Sequence, residues 1–479
     1  MKICLVRPAL KNRFQVGPPL SLGYLASALE KAGYKDVFLM DCTIEELDPL
    51  QAAKTVKSRG GADIVGIQIY TGSHIWAKDF IRLLKKELPD VVTIVGGPHV
   101  SALHKYAMDF IGADYGVKGE GEGPIVKFAN FLEDKITDPA DVPGLLYKDK
   151  FSGEWKSAKQ EFGFIEDAND IPWPDWELLN PPRYFKTLQS ISLPIKGKKP
   201  TFVLTSRGCP FRCTFCSARL ISKRIMRYRE PENIVAEIKM LHEKYGVDEI
   251  FFSDDNLTMD LNRAEKIFDL LIDSGIKIHW RAPNGLRVDR LEEKLIKKMA
   301  KSGCYYVGLG IESGNQKVLI SIKKSLDLKL VPKQIKLLHK YGIKCSGFFM
   351  CGLIGETREQ MYESINFAKS VPLDRIQVCI YTPYPGSDDF EEIMNLPAPK
   401  SYERNIKHFQ KTETSPKFRK MGIKEMVKMQ EAFLFSFYLR PKVIFSMLRG
   451  ISVSQMRALL SHPTLKNFFK RQEQDLYTH

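Results

Sequence analysis

Two successive α/β sheets followed by a small helical region are predicted for this chain, on three observations. Short β-rich runs alternate with stretches of helical period over residues 1–135, and strand–helix alternation implies a parallel sheet wound on both faces. The same rhythm returns over 201–390 with six strand candidates. The length, 479 residues, exceeds what one hydrophobic core organises, since single cores stop growing near roughly 250–300 residues.

Residues 1–135 carry the strand candidates KICLVRP, DVFLMDC, DIVGIQIY, VVTIVGG and ADYGVKG, with helical periods at Leu22 to Lys31 and Ala77 to Leu88. A Rossmann-like doubly wound parallel sheet follows. Gly and Pro stand just after the strands, at Pro18-Pro19, Thr71-Gly72, Gly96-Gly97-Pro98 and Gly119-Glu120-Gly121-Glu122. In such sheets these loops share the edge where ligands bind. One such glycine alone would only make a tight turn; four on one edge point to a ligand.

Over 136–200, Trp173, Trp176 and several prolines interrupt any regular pattern. This segment is expected to be a linker packed across domains, because free linkers seldom carry two tryptophans. Residues 201–390 then offer TFVLTSRG, DEIFFSDDN, IHWRAPNG, YYVGLGIES, KCSGFFMCGL and RIQVCIYTPYP, with helical stretches such as Pro231 to Tyr245 and Arg263 to Ser274. Six βα units suit a partial (β/α)6 barrel, whose chemistry sits at the carboxyl ends of the strands. The candidates end in polar or glycine residues there: Asp254-Asp255-Asn256, Asn284-Gly285 and Glu312-Ser313-Gly314. From 391 to 479 a basic, aromatic, helical carboxyl-terminal cap is expected. Its run FLFSFYLRPKVIFSMLRG either packs an apolar face on the barrel or meets a membrane surface or greasy substrate.

Hydrophobic residues make up 44% and charged residues 27%, which excludes a disordered or fibrous chain. The formal charge is +15, yet residues 401–479 hold 15 basic against 6 acidic side chains. The excess therefore sits mostly in the cap. That argues against nucleic acid, which would want a basic groove with aromatic platforms on the main domains, and leaves an anionic or lipid-like partner for the cap. No run reaches the roughly 18–20 apolar residues of a membrane span. The four-residue apolar run before Arg7 is too short for a signal peptide, so a cytoplasmic protein with reduced thiols is expected, peripheral membrane contact being reserved for the cap.

Nine cysteines include one tight cluster, which in a reducing compartment suggests a metal or cluster site rather than disulfides. In RGCPFRCTFCS, Cys209, Cys213 and Cys216 are spaced C-x3-C-x2-C at the end of the first barrel strand. Three thiolates on one loop can ligate three irons of a cubane and leave the fourth iron open. A zinc site with a distant fourth ligand is the competing reading. Zinc spacings are usually paired C-x2–4-C units, and no second pair or nearby histidine is present.

This loop resembles the signature of the radical S-adenosylmethionine superfamily, and the likeness extends through 201–390. It implies a 4Fe-4S cluster whose open iron chelates S-adenosylmethionine, with one electron from a flavodoxin- or ferredoxin-like donor giving a 5′-deoxyadenosyl radical. It also implies Phe215 near the adenine, Asp254 and Asp255 near the methionine amino group, and Arg287 and Glu312 holding carboxylate or ribose. The stretch SDDN stands where a Gly-Gly-Glu triplet is usual. The amino-terminal domain is similar to the cobalamin-binding domain preceding this barrel in one subfamily. The likeness rests on GPPLSLGYLASALEKAGY, GIQIYTGS, VGGPHVSA and YGVKGEGEG, and it implies cobalamin contacts at Ser21, Tyr70, Thr71, Gly72, Gly96, Gly97, Pro98, Gly119, Glu120 and Gly121. The Asp-x-His-x-x-Gly motif for a lower axial histidine is missing, and His74 and His99 are the nearby candidates. A nucleotide is the competing tenant of this edge, without a phosphate-cradling glycine fingerprint.

Cys345 and Cys351 are six apart on one strand candidate and would point the same way, into the barrel if that is the face they share. A radical-quenching cysteine is one role open to them, and Tyr305, Tyr306, Tyr381 and Tyr384 are equivalent candidates. Buried thiols otherwise behave as small hydrophobes. No catalytic residue is assigned. The expected reaction is methylation of an unactivated carbon or phosphorus. The alternatives are radical cyclisation, rearrangement or carbon–carbon coupling on a lipid or tetrapyrrole-like substrate, and, in another class, a cobalamin-sensing module, which has no need of an open iron.

Overall fold

The computed structural model describes residues 1–9, 16–189, 195–394, 422–441 and 443. Its first sheet has seven strands: β1 (Ile3–Arg7), β2 (Val37–Asp41), β3 (Ile64–Gln68), β4 (Val92–Gly96), β5 (Tyr115–Val117), β6 (Leu145–Lys148) and β7 (Trp155–Ser157), in the order β2-β1-β3-β4-β5-β6-β7. The first five pair in parallel. β6 and β7 join antiparallel and come from the stretch read as a linker. They cover the edge that β5 would otherwise leave unpaired.

The parallel strands are buried on both faces. Helices Leu20–Lys31 and Glu122–Leu132 cover one side, where Leu5, Ile64 and Ile94 point. Helices Pro49–Ser58 and His74–Glu87 cover the other, against Cys4, Val65 and Val95. Period-2 alternation thus serves two apolar layers rather than one wet and one dry face.

The second sheet is an open arc of six parallel strands: β8 (Pro200–Val203), β11 (Glu249–Phe252), β12 (His279–Leu286), β13 (Cys304–Glu312), β14 (Lys344–Cys351) and β15 (Arg375–Ile380), paired in chain order. Between β8 and β11 stands a two-residue hairpin, β9 (Ser206–Arg207) with β10 (Arg227–Tyr228), antiparallel. Alternation separates the two faces of the arc. Trp280 stacks on Phe268 of the helix Leu261–Asp273 at 4.9 Å between ring centroids, with Phe252 edge-on at 5.2 Å. Phe251 and Phe202, one register apart from those, turn the other way and meet Val16, Tyr184 and Leu188. The inner face beside edge strand β8 is therefore filled by the chain that follows β1 and by the 136–200 segment.

The described part of that segment, residues 136–189 and 195–200, is a packed strap. Trp176 is buried and donates from Nε1 to Glu237 at 2.9 Å on the helix Pro231–Tyr245. Its neighbour Leu179 packs so closely on Gly23 that a Cβ at Gly23 would stand 2.6 Å from the leucine. Trp173 donates to Asn233 at 3.0 Å, and its carbonyl accepts from Ser27 Oγ at 2.6 Å. Both tryptophans bridge the first sheet's helices to the barrel's.

Of the expected cap, the described part is chiefly the helix Ile423–Tyr438, which packs on β14 and β15. Phe433 meets Phe349 at 5.0 Å, and Tyr438 Oη donates to the Ile376 carbonyl at 2.7 Å. Met426, Met429, Phe433 and Phe437 are buried there, so the described helix lays its apolar face on the barrel. Most of the basic run beyond it lies outside the described residues. No helix among the described residues is long and apolar enough to cross a membrane.

Candidate functional site

A cavity of about 830 Å³ opens between the carboxyl edge of the first sheet and the mouth of the barrel. From the sheet it is walled by Ser21, Tyr70, Gly96, Gly97, Pro98, Gly119, Glu120 and Gly121; from the barrel, by Ser206, Gly208, Ala218, Arg227 and Asp255 among others. Gly208 and Ala218 bracket the cysteine loop, so the loop begins and ends on this cavity.

Local chemistry explains the wall. Arg7, at the end of β1, forms an ion pair with buried Asp41, and its Nη1 donates to the Gly17 carbonyl at 2.8 Å. Tyr184 from the strap donates to the same carboxylate at 2.7 Å. The turn at Gly17, just before the helix Leu20–Lys31, is thereby tied to the end of β1. Gly97 has φ 101°, and a Cβ there would lie 2.9 Å from the Ile69 carbonyl oxygen. Gly119 has φ 84°, with Gly163 O 2.4 Å from a would-be Cβ. Both need glycine so that backbone can cross backbone at the cavity floor.

Thr71 and Gly72 stand apart from the other predicted residues. They open a short 3-10 turn away from the wall, where the Thr71 carbonyl faces His74 Nδ1 and its Oγ1 faces His99 Nδ1 at 3.2 Å. The two histidines stack at 5.0 Å between centroids and are buried. Desolvation lowers both, His99 to about 3. Neither belongs to the cavity wall, and no imidazole among the described residues does.

At the barrel mouth, Cys209, Cys213 and Cys216 are unpaired and half-buried. Desolvation raises all three thiols, Cys216 to about 11, so thiolates here call for a metal charge to hold them. A structural zinc site would ask for a fourth protein ligand beside these three. A cubane spreads one thiolate to each iron and fits this donor set better. Phe211 within the loop lies under the Arg287 guanidinium at 3.6 Å, and Arg287 is itself held by Asp289 and the Ser325 carbonyl. Glu312, at φ 69°, pairs with Lys324 at 2.9 Å. Phe215 packs on the apolar core rather than on the cavity wall.

The two aspartates after β11 part company. Asp254 is buried and accepts from Thr205 N and Oγ1 and from Ser206 Oγ, at 2.5–3.2 Å. It ties the stretch after β8 to the turn after β11, so its oxygens are already engaged. Asp255 is exposed on the cavity, and its charge is felt by Cys209 and Cys216. Glu120 is likewise engaged, by Arg227 through two hydrogen bonds and by Arg207. Desolvation pulls its carboxyl upward, but the Arg227 hydrogen bond and the Arg207 charge outweigh that and hold it below the usual carboxylate range. Arg207 and Arg227 were not singled out in the sequence, and Glu122 entered only as part of the post-strand loop Gly119-Glu120-Gly121-Glu122. The available signals were an arginine directly before the Gly-Cys of the loop and a second acid in GEGEG.

Cys345 corrects another expectation. It sits beside His339 and Asp374, on the side of the helix Leu330–Lys340, and Phe349 in the same alternation meets the helix Ile423–Tyr438. Cys345 and Cys351 face the helices, not the barrel lumen, and burial raises both thiols, Cys351 to about 12. Tyr305 donates to Glu249 at the amino end of the barrel, and Tyr381 to Asp389.

A doubly wound sheet and an open parallel barrel, closed on one cavity with a three-thiolate loop at its rim, define a two-domain protein built around a ligand and a metal cluster. Family models match accordingly: the B12 binding domain over residues 6–129 and the radical SAM superfamily over 203–368. An uncharacterized methyltransferase of Pyrococcus horikoshii is 32% identical over 93% of this chain and 94% of its own length. Cytidylyl-2-hydroxyethylphosphonate methyltransferase of Streptomyces wedmorensis is 29% identical over 78% of this chain and 77% of its own. In fold, the chain is similar to the radical S-adenosylmethionine methyltransferase TsrM from Kitasatospora setae, solved with cobalamin and a [4Fe-4S] cluster. The TM-score is 0.66 at 17% identity, covering 82% of this chain and 75% of that one. The chain belongs to the radical S-adenosylmethionine superfamily, in the branch that carries an amino-terminal B12-binding domain, and is an enzyme.

Proposed function

We propose that the protein is a cobalamin-dependent radical S-adenosylmethionine methyltransferase acting on an unactivated carbon or phosphorus of a small or lipid-like molecule. One observation carries the reading: the glycine-lined edge of the first sheet and both ends of the cysteine loop wall a single cavity. When bound, the cluster supplies the electron that splits S-adenosylmethionine, and cobalamin carries the methyl group. The chain's part is to hold and orient. Cys209, Cys213 and Cys216 would ligate the cluster, with Arg287 and Phe211 keeping their loop in place. Asp255 is the carboxylate free to receive an amino group beside it, and Glu312, with its Lys324 partner, stands on the same rim. Ser21, Tyr70, Gly96, Gly97, Pro98, Gly119 and Gly121 would hold the corrinoid. The domain division 1–135, 136–200, 201–390 and 391–479 is kept as part of this proposal, β6 and β7 being a sheet extension of the first unit. An external flavodoxin- or ferredoxin-like donor is required, and an anionic or membrane partner is assigned to the basic run beyond the described cap helix.

The test is anaerobic purification and reconstitution, followed by measurement of iron, sulfide and corrinoid. Reductant and S-adenosylmethionine are then added with candidate substrates. Corrinoid together with about four irons per chain, and 5′-deoxyadenosine formed alongside S-adenosylhomocysteine, is the expected result. Deoxyadenosine without S-adenosylhomocysteine would favour cyclisation or coupling instead. A protein that folds with zinc and no iron would sink the reading.

A further inference from the structure

The cysteine loop is the interior of a hairpin. Its stems are β9 and β10, in which Arg207 and Arg227 are direct cross-strand partners, and residues 208–226 between them carry all three cysteines. Two like charges opposite one another destabilise an antiparallel pair. Here Arg227 is buried and Arg207 half-buried, and both turn to one carboxylate in the loop after β5. Glu120 takes Arg227 in a fork, at 2.7 and 2.9 Å, and Arg207 at 2.9 Å, while Arg207 reaches on to Glu122 at 2.6 Å. Each guanidinium also lies over an aromatic ring, Arg207 over Tyr24 at 4.9 Å and Arg227 over Phe164 at 4.0 Å. The carboxylate side is equally constrained. Glu120 N donates to the Gly163 carbonyl at 2.9 Å, Ile165 N donates to its Oε2 at 3.0 Å, and a Cβ at Gly163 would stand 2.2 Å from the Glu120 carbonyl. Glu120 is flanked by Gly119 and Gly121, and all three line the cavity.

We propose that Arg207 and Arg227 are positioning residues which, clamped by Glu120 and Glu122, set the separation between the cysteine loop and the ligand-binding edge of the first sheet. The stems of the loop can lie together only when the carboxylates of the other sheet neutralise them, so the loop is built in register with that edge. The clamp rests on the functional reading only for what occupies the cavity; the loop's dependence on Glu120 is a property of the chain alone.

Two measurements on the full chain separate these. Hydrogen exchange of the cofactor-free protein is compared for wild type, Glu120→Gln and Glu122→Gln. The clamp predicts roughly tenfold or more faster exchange across 208–226 in Glu120→Gln, a smaller effect in Glu122→Gln, which keeps the Arg227 fork, and little change in the helix Pro231–Tyr245. In the reconstituted protein, the broadening of the cobalt(II) spin signal by the reduced cluster is read by electron paramagnetic resonance. Iron and corrinoid contents are checked first. Weakened coupling with both contents retained is expected in Glu122→Gln, with partial recovery in Arg207→Lys relative to Arg207→Met. Unchanged exchange in Glu120→Gln, or unchanged coupling in Glu122→Gln, would overturn the clamp. Should Glu120→Gln fail to fold, Glu122→Gln exchange decides. Wild-type protein that takes up neither iron nor corrinoid would overturn the functional reading while the exchange result still judges the clamp.

Discussion

Single side chains divide the site into groups that hold ligands and groups that hold one another. Asp255 and Asp254 are neighbours in sequence, but only Asp255 keeps a carboxylate free toward the cavity, because Asp254 spends its oxygens on Thr205 and Ser206. Cys213→Ala is expected to abolish iron uptake while corrinoid content stays at the wild-type level, since the sheet edge is built from other residues; joint loss of both in metal analysis and absorbance would contradict separate sites. Gly97→Ala asks an L-residue to hold φ 101° with its Cβ against the Ile69 carbonyl. A destabilisation of about 1–3 kcal/mol and reduced corrinoid content are expected, by denaturant unfolding and absorbance. These glycines were legible as a row of post-strand turns. Which carboxylates were already paired was not, because Thr205 and Asp254 meet only when β8 lies beside β11.

Among the elements, the loop after β14 carries the clearest pH signature. Glu356 is buried, its Oε2 accepts from Gly352 N at 2.8 Å and Leu353 N at 3.2 Å, and Oε1 has no partner among the described residues. Desolvation outweighs those two bonds and pushes its carboxyl up to about 7. The folded state then holds a proton that the unfolded chain has released, so stability falls as pH rises from about 4.5 toward 7. The loss is on the order of 3 kcal/mol. Glu356→Gln should remove that slope: compared with wild type, its stability from urea unfolding rises between pH 5 and 8. Parallel curves for the two proteins would contradict the assignment. All eleven strand candidates formed, as did the helices read from their apolar period. The short strands β6, β7 and β10 were missed because such brief runs, outside a longer apolar stretch, carry too little alternation to be told from loop; β9 lies within the candidate TFVLTSRG.

For the molecule as a whole, one apolar cluster runs from Ile3 and Leu22 in the first unit through Trp176 in the strap to the barrel core. Continuity of that kind couples the two sheets. A single calorimetric unfolding transition is therefore expected despite the length of the chain; two resolved transitions would show the sheets to be independent. Trp176→Ala removes an indole buried at the crossing, and its hydrogen bond to Glu237. It should cost about 3–5 kcal/mol and split the transition, whereas Trp176→Phe should keep one transition at a lower midpoint. Two tryptophans in a proline-rich stretch had already marked the strap as packed, since large indoles need a place to be buried.

The kind of each main strand, the order of the two sheets and the placing of three cysteines on one loop followed from the chain's own pattern, because periodicity and spacing are local properties. Partnership across distance did not. That Arg207 and Arg227 share Glu120, that Cys345 faces a helix, and that Thr71 turns from the cavity while Gly97 floors it are settled by where separate elements come to lie. Such contacts depend on the closing of one sheet against the other, and only the folded molecule brings those groups within hydrogen-bonding reach.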